Sequence, residues 1–389
     1  MFKIRTYNAI SPLGLARFPA EHYRVGPDVA DPDAILLRSH KLHGEPLPAT
    51  VLAVARAGAG VNNIPVEACT ERGIVVFNTP GANANAVKEL VAAALFLSAR
   101  DIFGGMSYVQ SLGHLRDAAE LSRLVEKEKK RFAGSELAGK TLGVVGLGAI
   151  GSLVANLALD LGMEVLGYDP AISVEAAWRL SSRVRKMDSL TALLAQSDYV
   201  TLHVPATAAT RHLINRETLA QIKPGAKLLN FAREEVVDVE ALIEALDNGR
   251  LGGYVSDFPR PELIGRRNVL LMPHIGASTR EAEENCAVMA AEQLIDFLEN
   301  GNIRNSVNFP PTAMARAGGH RLTFSNANVP KVLSNVLALL SASNNNVIDL
   351  VNKSRDAIAY NIVDVEERPS EETLARIRAT EGVIRVRLL

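Results

Sequence analysis

An arginine, a carboxylate and a histidine each follow an apolar run in the second half of this chain. Arg233 comes after Leu228-Leu229-Asn230-Phe231, His274 after Val269-Leu270-Leu271-Met272-Pro273, and Glu262 lies in the loop beyond Asp257. Such runs read as strands of an open parallel sheet, which gathers its ligands at the carboxyl ends of the strands. A guanidinium can hold a carboxylate through a two-pronged contact. An imidazole can take a hydroxyl proton, and a carboxylate paired with it favours its charged form and fixes its orientation. This set suits hydride transfer from a hydroxy acid. Most lone histidines are structural; of the other seven, only His203 also sits at a strand end.

Hydride transfer needs an acceptor, and the strongest local signal supplies a place for one. Gly146-Leu147-Gly148-Ala149-Ile150-Gly151 lies between the apolar run Thr141 to Val145 and a helical pattern, and the next run ends at Asp169. Glycines here give a tight turn and let backbone N–H groups approach a pyrophosphate at a helix N-terminus. A carboxylate at Asp169 can accept both ribose hydroxyls and repels a 2′-phosphate. No arginine directly follows it, so NAD is expected rather than NADP.

Composition narrows the alternatives. The 389 residues carry 42 Lys+Arg against 43 Asp+Glu, a net charge of -1, so nucleic acid is not the expected partner. The two cysteines, Cys69 and Cys286, are far apart and lack metal-ligand spacing, which predicts no metal site and fits a reducing cytoplasm. The longest apolar run, Leu90 to Ser98, is too short to span a bilayer, and no signal-peptide core opens the chain.

Stepping along the elements, Ala34 to Arg38, Val51 to Ala55 and Ile74 to Phe77 read as strands, with a helix from Glu67 to Arg72. A long helix follows from Asn85 to about Arg100; residues 101–139 carry little strand signal, and their charge run Glu126 to Arg131 reads as a solvated helix face or loop. From Lys140 strands and helices alternate strictly, predicting a Rossmann-like doubly wound α/β domain. Ser278-Thr279-Arg280-Glu281 reads as a capping box opening a helix that Gly301 ends. The two long helices bracket the central domain, so the first domain is expected to be discontinuous and flavodoxin-like. After Gly318-Gly319 the order βαββαβ is ferredoxin-like, with Pro330 just inside its first helix. The expected boundaries are 1–94 with 281–313 for substrate, 95–280 for NAD and 318–389 for the last domain.

The chain resembles the D-isomer-specific 2-hydroxyacid dehydrogenases. The resemblance covers nearly all of it and rests on Ala55 to Ile64, Asn78-Thr79-Pro80-Gly81, the glycine loop with Asp169, Thr201 to Pro205, Asn230-Phe231-Ala232-Arg233 and Pro273 to Thr279. It implies that Arg233, Glu262 and His274 are catalytic. It implies a cofactor site of Gly146, Gly148, Ala149, Ile150, Gly151, Asp169, His203, Val204, Pro205, Phe231, Ala232, Arg233, Asp257, His274 and Gly276. Substrate contacts would come from Arg38, Arg56 and the backbone of Ala57 and Gly58, joined by Arg233 and His274; Lys41 is a weaker candidate. Two guanidinium groups suit a phosphorylated hydroxy acid, 3-phosphoglycerate, oxidised at the head of serine synthesis. The alternative is another small D-2-hydroxy acid such as glyoxylate, hydroxypyruvate or 2-hydroxyglutarate. A non-catalytic NAD sensor is disfavoured because all three catalytic types are present.

The last block resembles an ACT domain, which implies a small amino-acid effector held by Asn328 and Asn346. Lys331 stands where a Gly would be, and Glu234 follows Arg233 where the family usually has Gly. The resemblance also implies a homodimer or homotetramer.

Overall fold

The computed structural model describes residues 1–389, the side chain of Glu175 excepted. The chain divides into two compact units, Met1–Asn83 with Thr279–Leu389, and Ala84–Ser278.

In the first unit, strands β1 (Phe2–Thr6), β2 (Tyr23–Gly26), β3 (Ala34–Leu37), β4 (Ala53–Arg56) and β5 (Val75–Phe77) form a parallel sheet in the order β2-β1-β3-β4-β5. Alternation divides the side chains between two cores. Ile4, Ala34, Leu36, Ala55 and Phe77 join one, while Ile35, Leu37, Val54 and Val76 join the other. A sheet covered on both faces explains why Ala34-Ile35-Leu36-Leu37 is continuously apolar. Strands β1 and β2 escape the sequence reading because charged residues interrupt them: Lys3 and Arg5 alternate with Phe2 and Ile4 in β1, and Arg24 lies in β2.

The helix Arg280–Asn300 closes the first of these cores through Ala287, Ala290, Ala291, Leu294 and Phe297. Its N-cap is Thr279, not Ser278: Thr279 Oγ1 accepts from Ala282 N at 3.1 Å. The residue three beyond the cap is then Ala282, which has no side chain to reach back, so no capping box forms. Gly301 ends the helix at φ 72, as its position predicts.

The C-terminal strands β13 (His320–Ala327), β14 (Val347–Arg355), β15 (Ile358–Val365) and β16 (Val383–Leu388) form an antiparallel sheet in the order β14-β15-β13-β16. This small antiparallel sheet fits an ACT-like module. One face, with Leu322, Phe324, Val363 and Val365, packs on the helices Val332–Ala342 and Glu371–Arg378. The other carries Tyr360 and Ile362 into the core of the first unit. Arg321 on that second face is fully buried and pairs with Asp364 at 2.6 Å. Pro330 lies outside its helix, which begins at Val332 with Lys331 as N-cap at φ 77. Lys331 thus occupies a left-handed conformation that suits glycine.

In the second unit, β6 (Thr141–Val145), β7 (Glu164–Tyr168), β8 (Arg185–Lys186), β9 (Tyr199–Leu202), β10 (Ala226–Asn230), β11 (Leu251–Ser256) and β12 (Val269–Leu271) form a parallel sheet. Its order, β12-β11-β10-β9-β6-β7-β8, reverses beside β6 and defines a doubly wound fold. Val145, Leu202 and Leu228 face one core, and Val144, Tyr199 and Leu229 the other. The helix Ala84–Ala99 packs whole on this second core through Val87, Val91 and Leu95. Residues 101–139 hold two helices, Ile102–Ser111 and Ala118–Glu128, neither with a buried residue. Among the described residues no single helix is long and apolar enough to cross a membrane.

Candidate active site

The glycine turn after β6 is built by close backbone approach. Gly146 has φ 88, and a Cβ there would lie 2.8 Å from the His203 backbone. A Cβ on Gly151 would sit 1.9 Å from Gly146 O, so this glycine lets the helix Ala149–Asp160 pack against the turn. Gly148, the N-cap of that helix, opens onto free space with nothing within 4 Å. A phosphate group can therefore approach the helix N-terminus over Gly148, where Ala149 and Ile150 begin the first turn.

Asp169 is more engaged than its sequence position suggests. Its Oδ2 accepts from Leu147 N at 2.8 Å and its Oδ1 from Ala171 N at 2.9 Å. The carboxylate thus braces the glycine turn while keeping lone pairs on each oxygen for a ribose diol. The strand end at β9 lies against the same turn: a Cβ on Gly146 would come within 2.9 Å of Val204. The neighbouring His203 Nε2 is 2.9 Å from Thr201 Oγ1, and its Nδ1 is buried without a partner. Desolvation pushes the His203 pKa down to about 3, so the ring is neutral. Pro205, beyond it, is exposed and accepts from Thr210 Oγ1 through its carbonyl.

A second cluster forms around Asp257, at the end of β11. Its Oδ2 accepts from Gly276 N at 3.0 Å, and its Oδ1 is buried with no partner. Burial raises the carboxyl above its ordinary range, opposed by the Gly276 bond and by the nearby His274 and Arg233. The structure therefore brings Asp257, His274, Gly276 and Arg233 together. His274 has φ 50, its N–H donating to Asp257 O at 2.9 Å, and its exposed ring lies 4.9 Å from that of Phe258.

Arg233 is set by Asn230, whose role the sequence reading leaves unassigned. Asn230 Oδ1 accepts from Ala232 N at 3.1 Å and its Nδ2 donates to Arg233 O at 2.9 Å. This clasp shapes the turn Phe231-Ala232-Arg233, in which Phe231 and Ala232 are buried. The Arg233 guanidinium donates to Ala232 O at 2.7 Å.

Glu262 does not meet His274. It is exposed on a short 3-10 turn, Pro261–Leu263, that buried Leu263 anchors. Its carboxylate lies 3.7 Å from Arg260 Nε, and Glu234 is 4.0 Å from the same guanidinium. The expected Glu–His pair is thus replaced by an arginine shared between two carboxylates, one of them the residue that departs from the family's Gly. Arg260 and Glu234 line a cavity of about 430 Å³, together with Arg211, His212 and Asp238 among others.

The anion candidates of the first unit stand at the ends of neighbouring strands, Arg38 directly after β3 and Arg56 as the last residue of β4. Arg38 Nη2 pairs with Glu283 Oε1 at 2.7 Å. Arg56 Nε donates to Arg38 O at 2.9 Å and its Nη1 to Gly60 O, holding its guanidinium over Gly58. The amides of Ala57 and Gly58 are not available to a ligand as expected: Ala57 N donates to Leu37 O at 2.8 Å and Gly58 N to Arg56 O at 2.9 Å. Extension of the β3–β4 ladder consumes the Ala57 donor, and a tight turn after β4 consumes that of Gly58. Lys41 is exposed.

In the last block, Asn328 Nδ2 donates to Asp356 O at 3.0 Å, pinning the turn between β14 and β15. Asn346 is exposed, and the buried asparagine is its neighbour Asn345, bonded to Glu367 O at 2.8 Å. Among the described residues no group of His, Cys, Asp or Glu could hold a metal ion.

A doubly wound sheet and a glycine turn braced by a carboxylate define a dinucleotide-binding fold. Residues 108–276 match the family model "D-isomer specific 2-hydroxyacid dehydrogenase, NAD binding domain". A D-3-phosphoglycerate dehydrogenase of Synechocystis sp. is 40% identical over 291 residues, covering 72% of this chain and 50% of that protein. One from Haemophilus influenzae is 34% identical over 351 residues, covering 87% and 81%. The NAD+-bound 3-phosphoglycerate dehydrogenase of Entamoeba histolytica superposes with a TM-score of 0.60 at 26% identity, covering 79% of this chain and 98% of that one. The chain belongs to the D-isomer-specific 2-hydroxyacid dehydrogenase family. It spans about half the length of the first curated relatives it matches, 50% and 49%, and about four-fifths of others, 81% and 79%.

Proposed function

We propose that this chain is an NAD-dependent dehydrogenase that oxidises D-3-phosphoglycerate to 3-phosphohydroxypyruvate, opening the phosphorylated route to serine. The observation that supports this most is the buried Asp257 carboxylate with one unpartnered oxygen; the backbone carbonyl of the same residue accepts from His274 N at 2.9 Å. The unpartnered oxygen fits the amide of a nicotinamide, and the open approach at Gly148 fits a pyrophosphate. Asp169 takes the ribose diol, and His203, Val204 and Pro205 line the cofactor cleft. When bound, NAD supplies the hydride acceptor.

Arg233 holds the substrate carboxylate. His274 accepts the proton of the C2 hydroxyl as that carbon becomes a carbonyl. Glu262 supports the imidazolium after leaving Arg260. Arg38 and Arg56 hold the phosphate. An NADH absorbance assay over a panel of hydroxy and oxo acids tests the reading. Turnover of 3-phosphoglycerate well above that of glycerate, lactate and 2-hydroxyglutarate supports it, and preference for an unphosphorylated acid replaces it with the alternative.

The protein works as a homo-oligomer. The helix Ile102–Ser111 buries none of its residues and exposes Ile102, Phe103, Met106 and Val109, a stripe suited to a second copy. The C-terminal module is regulatory, with a small amino acid as its effector and a response altered by Lys331. A reducing compartment such as the cytoplasm suits the free thiols Cys69 and Cys286, both buried.

A further inference from the structure

Glu283 has no role in the dehydrogenase chemistry, yet it pairs with Arg38. Arg38 directly follows β3, and Glu283 lies in the first turn of the helix Arg280–Asn300. Their side chains meet at 2.7 Å with 38% and 43% of each exposed. Arg56 is joined to the same place through its bond to Arg38 O. The buried Cys286, one turn beyond Glu283, senses all three charges: burial raises its thiol, Arg38 and Arg56 lower it, and Glu283 raises it.

We propose that Glu283 is an internal counter-anion of the phosphate site, occupying Arg38 until the phosphate of the substrate displaces it. This rests on the reading of Arg38 and Arg56 as phosphate ligands. The pair is exposed enough to be weak, so an incoming group can break it. A phosphate dianion brings more charge and three acceptor oxygens against the single carboxylate oxygen that Arg38 now meets. Glu283 therefore keeps the site self-neutralised and limits its capture of inorganic phosphate. It tunes affinity and does not touch the reacting carbon.

The test is calorimetric titration of the whole chain with inorganic phosphate, without cofactor or substrate. Glu283→Gln keeps the shape and removes the charge. It should bind phosphate about three- to tenfold more tightly than the unmodified protein, the loss of a competitor and of a like charge acting together. Arg38→Gln should bind it at least tenfold more weakly. In turnover, Glu283→Gln should lower KM for the phosphorylated substrate without raising kcat, the pattern of a change in uniform binding. Unchanged phosphate affinity in Glu283→Gln would overturn the proposal, and weaker affinity would make Glu283 an orienter of Arg38 instead. Normal phosphate binding by Arg38→Gln would also overturn it. Tighter phosphate binding with no turnover of 3-phosphoglycerate by any form would reject the substrate reading and leave the role of Glu283 standing.

Discussion

Asp257 and Gly276 are joined by one hydrogen bond, Gly276 N to Asp257 Oδ2 at 3.0 Å, which leaves the other carboxylate oxygen buried and unpartnered. A buried acceptor without a donor is costly unless a ligand completes it. Asp257→Ala should therefore weaken NAD about ten- to a hundredfold, the worth of a hydrogen bond to a charged group. Titration of NADH fluorescence measures it. Unchanged affinity would show that the free oxygen does not meet the cofactor.

His274→Asn retains size and polarity and removes the titrating group. Turnover should fall by about 10²–10⁴-fold with cofactor affinity little changed. Steady-state kinetics combined with the same fluorescence titration separates the two effects. Full activity would remove His274 from the mechanism.

Lys331 sits at φ 77 on an exposed turn, so its Cβ carries a strain that glycine lacks. Lys331→Gly should stabilise the protein by about 0.5–1 kcal/mol, after the extra freedom glycine has when unfolded. Urea denaturation at unchanged m-value gives the difference. Titrating activity with serine in both forms tests the regulatory role. Gain of inhibition in the variant supports obstruction by Lys331, and strong inhibition of the unmodified protein refutes it.

Arg321 and Asp364 form a fully buried ion pair at 2.6 Å, and Arg321 also donates to the carbonyls of Asn300, Met314 and Ala315. Arg321→Met leaves Asp364 buried and unpaired and should cost about 3–5 kcal/mol, with Arg321→Met/Asp364→Leu less damaging. Burial pushes the Asp364 carboxyl up, but the bonds from Arg321 and Ala317 outweigh it and the net direction is down. A depressed carboxyl contributes stability that is present above its unfolded pKa and lost as pH falls through the folded value. Denaturation across acid pH should show that loss in the unmodified chain and not in the double variant.

Phe103 and Met106 are 67% and 64% exposed on a helix with no buried residue. Phe103→Glu/Met106→Glu should shift the protein from dimer towards monomer in light scattering while leaving circular dichroism unchanged. An unmodified protein that is already monomeric at working concentration would refute the interface.

The sequence by itself determined the elements whose signals are local. The strands Thr141–Val145 and Glu164–Tyr168 follow from short runs of mostly apolar residues, and the turn after the first from Gly146 and Gly151, where a Cβ would clash. The antiparallel block is legible for a similar reason, since Ile358, Tyr360 and Ile362 recur at every second position and so share one buried face. Arg233, His274 and Asp257 stand out because each closes a buried strand or its loop. Only the tertiary structure decided what those side chains meet. Pairing energies depend on distances that spacing does not encode, so Glu262 turning to Arg260, Asn230 clasping the Arg233 turn and Glu283 reaching Arg38 were invisible in the chain. Polar side chains carry no periodic signal to reveal such partners. The cap at Thr279 differs from the expected Ser278 by a single residue, because the helix starts where the backbone leaves extended φ and ψ, and both hydroxyl residues satisfy the same local rule.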